Sequence, residues 1–266
     1  MLKIGMVGCG AIGSALAVIL EKRFRKIAKL SFLCDENSKQ IDRLRRRLKR
    51  YIPSLAIPQI VRRSDLIVEC ASQSAARRVA SLGMKYGKTM MILSVGGIIG
   101  LKGLRKKGSS GSIFIPSGAV GGVDALLAAS ESGLDSVLLS TSKPLSALKD
   151  APFWKQKKAS VKSVSRPTVL FEGSVREAVR LFPQNVNVAA TVSLACGGSR
   201  RVRIRVVADP KAKRNRHEIL AKGRFGQLRF VASNLPSGEN PRTSALAIQS
   251  AEACLRKIFS RCKVGT

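Results

Sequence analysis

The sequence predicts an α/β chain: a doubly wound parallel sheet in the N-terminal half, then a C-terminal mixed α+β domain. Three observations carry that expectation. Short runs that are apolar almost throughout alternate with helical stretches, the pattern of a parallel sheet covered on both faces. A glycine-rich loop joins the first such run to the first helix. Beyond about Pro116 the alternation gives way to longer strands and a hairpin signal. The chain has 266 residues, 45% hydrophobic but only 5% aromatic, so an aliphatic core can be buried.

Leu2 to Val7 reads as a strand, and Ala11 to Lys22 as a helix with Ile12, Leu16, Ile19 and Leu20 along one side. Leu30 to Cys34 is a second strand, ending at Asp35. Arg43 to Tyr51 reads as a basic helical stretch, Leu66 to Cys70 as a strand and Ser74 to Tyr86 as a helix. Thr89 to Leu93 and Ser112 to Ile115 supply two more strands. The loop Gly8-Cys9-Gly10-Ala11-Ile12-Gly13 has the spacing that a dinucleotide demands. Gly8 allows the tight turn, Gly10 lets the backbone approach a pyrophosphate, and Gly13 lets the helix pack close to the strand. The pyrophosphate then meets backbone N–H groups at the positive end of a helix dipole. Gly8, Gly10, Ala11, Ile12 and Gly13 are therefore candidate cofactor-binding positions in a Rossmann domain. Asp35 stands where an acid should hold the ribose hydroxyls. It favours NAD over NADP, but the many lysines and arginines leave both cofactors open.

Charge is the unusual feature: 48 Lys and Arg against 16 Asp and Glu, a formal +32. Such a field attracts nucleotides, dicarboxylic acids and RNA alike, so non-specific nucleic-acid binding is expected as a side effect. The six cysteines are scattered without a Cys-x-x-Cys, and the chain has one histidine, which argues against a metal site and a disulfide framework. A reducing cytoplasm is the expected compartment. The apolar run Ile4 to Leu20 is glycine-broken and too short to span a bilayer, so no membrane segment is expected.

In the second half, the glycine-rich crossing from Ile115 to Gly122 precedes a helix over Val123 to Ser132 and a strand over Leu134 to Ser142. Ala151 to Arg166 reads as an exposed basic loop, Glu172 to Leu181 as a helix, and Asn187 to Ala195 as a small apolar segment. Arg201 to Val206 alternates strictly, a half-buried strand with arginines turned to water. Glu218 to Ala221 and Gln227 to Ala232 form a hairpin around Gly223. Asn240-Pro241 reads as cap and first turn of a last helix carrying Ile248, Ala251, Leu255 and Ile258. The expected boundaries are residues 1–117 for the Rossmann domain, 118–240 for a catalytic and dimerisation domain, and 241–266 for a C-terminal helix packing back on the first.

Five segments, IGMVGCGAIG, IPSGAVGGVDAL, FPQNVNVAATVSLA, DPKAKRNRHEI and NPRTSALAIQSA, follow one another in the order of a known family. The chain resembles L-aspartate dehydrogenase. The resemblance implies a cytoplasmic homodimeric oxidoreductase of nicotinamide-cofactor biosynthesis. It would take NAD or NADP and oxidise L-aspartate to iminoaspartate, which hydrolyses to oxaloacetate and ammonia. It places the active-site histidine on His217 and a cofactor-contacting alanine on Ala119. A cofactor-contacting asparagine falls on Asn187, with Asn185 as the alternative. The Lys-Pro of STSKPL matches too, without a role. The heavy basic load departs from the pattern and leaves the motifs intact.

Hydride can leave Cα only once the amine has lost its extra proton, so a base near neutrality is required, and histidine has the right ordinary pKa. The two substrate carboxylates need cationic partners, which a chain this basic does not single out. Arg216 is a poor choice, because alternation on an extended segment turns it away from His217. The rival expectations are another two-domain amino-acid or semialdehyde dehydrogenase or reductase, and a non-catalytic basic Rossmann protein that binds nucleotide or RNA.

Overall fold

The computed structural model describes residues 1–104, 110–158, 160–183, 186–198, 201–238 and 240–265. It divides into two compact units, Met1–Pro116 with Ile248–Cys262, and Ser117–Ala247 with Lys263–Thr266.

The first unit opens with β1 (Leu2–Val7), α1 (Ala11–Arg23), β2 (Ala28–Cys34), α2 (Ser38–Leu48), α3 (Ile57–Arg63), β3 (Leu66–Glu69), α4 (Gln73–Lys85), β4 (Thr89–Ile92) and β5 (Ile113–Phe114). The strands form one parallel sheet in the order β2-β1-β3-β4-β5. The chain therefore reverses its direction of winding between β1 and β3, and ligands of such sheets bind beyond the strand ends at that switch. Every residue of β3 is buried, the apolar Leu66, Ile67 and Val68 and the terminal Glu69 alike, as expected of a strand in a sheet covered on both faces. Ile4, Met6, Leu16, Leu20, Leu33 and Leu44 pack into one core.

Two elements depart from the sequence reading. The basic helix starts at Ser38 and not Arg43, because the Asn37 side chain caps it by accepting from the Lys39 N–H at 3.1 Å. Helix α3 was not anticipated. It is only seven residues long, with Pro58 in its first turn.

The second unit contains α5 (Val123–Ser132), β6 (Leu134–Lys143), α6 (Leu145–Leu148), α7 (Pro152–Gln156), β7 (Thr168–Ser174), α8 (Val175–Leu181), α9 (Asn187–Ala195), β8 (Val202–Ala208), β9 (Asn215–Gly223), β10 (Gly226–Asn234), β11 (Pro236–Ser237) and β12 (Asn240–Ser244). Its sheet runs β10-β9-β6-β8-β7, with β6 and β8 parallel and the other pairs antiparallel. One face carries Val137, Leu139, Ile204, Ile219 and Ala221, packed with Leu126, Ala178, Ala189 and Val192 of the helices. The other face carries charge. Arg203 and Arg205 pair with Glu172, and Arg216 and Arg229 pair with Glu218. The arginine strand thus meets acids from neighbouring strands.

Three expectations are corrected here. Residues 168–174 form β7, so the helix begins at Val175. The cause is a capping box, in which Ser174 Oγ accepts from the Glu177 N–H and Glu177 Oε2 accepts from the Ser174 N–H. The 151–166 segment is not an exposed loop throughout. Phe153, Trp154 and Val164 are buried, and the Trp154 indole donates to the Leu148 carbonyl at 2.7 Å. Asn240-Pro241 does not start a helix. A residue before proline is pushed toward extended backbone, and Asn240 pairs with Ser237 in the β11–β12 ribbon.

The last helix, α10 (Ala245–Phe259), buries Ala251 and Leu255 in the core of the first unit. Glu252 of α10 forms an ion pair with Arg23 of α1. Leu255→Ala should cost about 2–5 kcal/mol in chemical denaturation, because a fully buried leucine leaves a cavity. Exposed Val264→Ala is the control and should change stability by less than about 0.5 kcal/mol.

Candidate active site

Each unit builds one constellation. In the first, a pocket of about 320 Å³ lies beyond the C-terminal ends of β1, β2 and β3, at the winding switch. Gly8, Gly10 and Asp35 line it, as do Glu36, Asn37, Cys70, Ala71 and Ser72. Gly8 has φ of +104°, and a Cβ there would fall 2.7 Å from the Cys70 carbonyl carbon. A Cβ on Gly13 would run into the Gly8 carbonyl oxygen. Gly10 differs from both. A Cβ there meets nothing, so its small size matters to whatever enters the pocket. Ala11 opens α1, and the side chain of Ile12 packs on the core. Ala11, Ile12 and Gly13 are not among the pocket-lining residues, so their contribution is the helix N-terminus and its close packing.

Asp35 accepts from the Cys9 N–H at 2.7 Å through Oδ2 and from the Asn37 N–H at 2.8 Å through Oδ1. It thereby ties the glycine loop to the end of β2. A carboxylate has about four lone-pair positions, so capacity for hydroxyl donors remains.

Glu69, which the sequence reading passed over, is fully buried at the end of β3. Burial pushes its carboxyl up, and hydrogen bonds from the Ser94 and Ala71 backbones oppose that. It accepts from the Ala71 N–H at 2.8 Å and the Ser94 N–H at 3.0 Å, so it positions the pocket wall formed by Ala71 and Ser72. A lone acid ending an apolar strand was the available signal.

In the second unit, the buried face of the sheet changes character at one end. Its apolar rows end in Thr141 and Lys143 on β6, Asn215 and His217 on β9, and Asn234 on β10, all buried. His217 is 2% exposed and stands opposite Thr141 in register. Its Nδ1 is hydrogen-bonded to the Thr141 hydroxyl at 3.1 Å. Asn234 Nδ2 donates to the Ala119 carbonyl at 2.8 Å, which fixes the backbone of the glycine-rich crossing. Asn187 is the first residue of α9. Asn185 lies outside the described residues.

One expectation about this cluster is corrected. A base poised near neutrality was expected, but burial, and then the charge of Lys143, push the imidazole down to about 3. His217 is therefore neutral at physiological pH. Lys143 is 6% exposed, and burial pushes its ammonium down to about 8. Arg216, beside His217, points to the opposite face and pairs with Glu218 at 3.0 Å.

The depressed histidine has a sign-definite consequence. Unfolded, the imidazole takes a proton near 6.5; folded, only near 3. Its contribution to stability is therefore complete above pH 6.5 and is lost as pH falls from 6.5 toward 3. The thermal midpoint of the wild-type chain should fall more steeply over that window than that of His217→Gln. Parallel curves would contradict the burial of a neutral imidazole.

Comparison with known proteins completes the picture. The sequence model described as "Aspartate dehydrogenase, C-terminal" matches residues 124–258, and "Homoserine dehydrogenase, NAD binding domain" matches residues 8–107. L-aspartate dehydrogenase of Methanosarcina acetivorans is 44% identical, covering 100% of both chains. That of Methanocaldococcus jannaschii is 39% identical, again covering 100% of each. The crystal structure of aspartate dehydrogenase from Thermotoga maritima superposes with a TM-score of 0.74 at 26% identity, with full coverage of both chains. A scyllo-inositol dehydrogenase from Lactobacillus casei, at 14% identity and a TM-score of 0.55, shares the fold alone. With its glycine loop, its paired α/β units and its buried histidine strand, the chain belongs to the L-aspartate dehydrogenase family.

Proposed function

We propose that the protein catalyses the NAD(P)-dependent oxidative deamination of L-aspartate. L-Aspartate, the oxidised cofactor and water would give oxaloacetate, ammonia, reduced cofactor and a proton. The observation that carries this reading is the pairing of a dinucleotide loop with an imidazole buried among polar groups, in a chain whose full-length relatives bear that enzyme's name.

The residues fit the cofactor. Gly8 and Gly13 remove side chains where backbones converge, and Gly10 leaves open space where a pyrophosphate would lie. A bound pyridine nucleotide would supply the hydride acceptor. Asp35 and Glu36 line the pocket, and no lysine or arginine does so among the described residues. That lining favours the ribose hydroxyls of NAD and opposes a 2′-phosphate.

His217 is the proposed proton acceptor for the α-amino group. In the tautomer whose Nδ1–H donates to the Thr141 hydroxyl, Nε2 is the ring atom left to take a proton. Asn234 holds Ala119, and through it the backbone proposed to contact the cofactor. A homodimer, a cytoplasmic location and a place in nicotinamide-cofactor biosynthesis belong to the same proposal. Among the described residues no helix is long and apolar enough to cross a membrane.

The test is reduced-cofactor formation from L-aspartate with NAD and NADP in parallel, against a panel of other amino acids. Aspartate should stand alone, with NAD preferred; turnover of a different amino acid instead would overturn the reading. Gly10→Ala should weaken NADH binding at an unchanged thermal midpoint, because its methyl enters the pocket and touches no protein atom. Gly13→Ala should lower the midpoint itself. Equal NADH affinity in Gly10→Ala and wild type would place the pyrophosphate elsewhere.

A further inference from the structure

All strands of the first unit's parallel sheet start at one end, so α1, α3 and α4, which each precede a strand, must finish there. Helix α2 finishes there too, since Arg50 just beyond it pairs with Glu21 of α1 and donates to the Leu30 carbonyl. The last turn of each of these four helices is basic, and α2 closes on Arg45, Arg46 and Arg47 in succession. Lys3 and Lys29 stand opposite each other in register where β1 and β2 begin, both exposed. Acids are present but outnumbered: Glu21 and Asp42 pair with Arg50 and Arg45, and Asp65 accepts from the Lys3 backbone N–H. The opposite end of the sheet is the cofactor pocket, lined by Asp35 and Glu36. Charge is therefore segregated within the unit. A helix dipole favours a cation at a C-terminus, but neighbouring like charges oppose one another, so dipoles alone do not call for this density.

A second observation comes from the rings. The chain has two tyrosines, and both lie at this basic end. Tyr51 follows α2 and is 76% exposed, with the Arg45 guanidinium 4.6 Å from its ring centre. Tyr86 follows α4, with the Arg62 guanidinium 5.2 Å and the Lys85 ammonium 5.7 Å from its ring centre. The span from β2 to β4 between them is three strand spacings, about 15 Å.

We propose that this end of the first unit binds single-stranded nucleic acid, its cations tracking the phosphates and Tyr51 stacking a base. Arg45 covers one face of the Tyr51 ring and leaves the other open, and Tyr86 with Arg62 offers a second platform at the far side of the strip. Every base has a flat face and every nucleotide a phosphate, so such a surface reads the polymer and not its sequence. The ring–cation pairs favour nucleic acid over an anionic bilayer, because a base can lie flat on a tyrosine or a guanidinium plane and a lipid headgroup cannot. The inference is independent of the oxidoreductase reading, since the basic end and the cofactor pocket are opposite ends of one sheet.

The probe is a fluorescent oligouridylate about 12 nucleotides long, followed by anisotropy over a range of salt. Two variants lose the same charge from exposed side chains. One combines Lys22→Gln, Lys26→Gln, Lys29→Gln and Arg46→Gln at the basic end; the other combines Lys155→Gln, Lys157→Gln, Lys222→Gln and Arg224→Gln on the second unit. The first should bind about 100-fold more weakly and flatten the slope of log affinity against log salt by about 3, as the loss of its phosphate contacts implies. The second should stay within about threefold of wild type. Tyr51→Ala should weaken oligonucleotide binding about tenfold and leave heparin, a polyanion without bases, unchanged. Thermal midpoint and NADH affinity should match wild type in all of them. Should the first variant lose its midpoint, Lys26→Gln with Lys29→Gln, which alters no helix, replaces it with about half the change in slope. Equal losses in the two charge variants would overturn the inference, because net charge alone would then account for binding. An equal loss of heparin binding in Tyr51→Ala would overturn it as well. Capture by phosphatidylglycerol vesicles without binding of the oligonucleotide would overturn it in favour of a lipid surface.

Discussion

The first unit depends on three backbones meeting without side chains between them. At the end of β1 the chain must turn at Gly8 against the Cys70 backbone, and α1 must return across the Gly8 carbonyl at Gly13. Any Cβ at either position drives the first helix away from the sheet. The pocket, the reach of Asp35 to the Cys9 N–H, and the wall held by Glu69 all follow from that approach. The constraint is steric and local, so it is written into six consecutive residues.

The second unit solves a different problem on a single surface. The buried face of its sheet is apolar where the helices pack and polar at one end, with no change in strand alternation. β6 carries Leu139 into the core and, one and two steps later, Thr141 and Lys143 into the polar end. β9 does the same in reverse, running from Asn215 and His217 to Ile219 and Ala221. The antiparallel register of β6 and β9 brings the two polar ends together, with Thr141 opposite His217. Burial there is costly for every one of these groups, and the packed hydrophobic rows beside them hold them in place against that cost.

This contrast explains what the sequence disclosed. The glycine loop, Asp35, the apolar strands of the parallel sheet and the buried helix face of α10 were legible because each rests on a pattern within one segment. His217 came from resemblance, and only the assembled sheet revealed that it is neutral. Lys143 stood out in the sequence only through the STSKPL match and without a role, although the alternation Val137, Leu139, Thr141, Lys143 points it inward once 134–143 is read as a strand. Asn215 and Glu69 carry no local signature, since their meaning comes from burial. The misread helix starts were conflicts between two local rules. At Ser174 the capping box was present and outweighed the apparent helix from Glu172. At Asn240 the restriction imposed by the following proline outweighed the capping preference of asparagine.

The low basicity of His217 follows from where the sheet puts it. Burial is the larger cause and the charge of Lys143 the second, and both act against the charged form of the ring. A neutral imidazole has a nitrogen able to accept a proton, whereas an imidazolium can only donate, so burial keeps the ring in the form that a proton acceptor needs. The cost is basicity, and it is set by the same packed rows that hold Thr141 against the ring. Position and protonation state therefore have one origin in this unit: the alternation that turns residue 217 to the buried face also decides which form of its side chain is present.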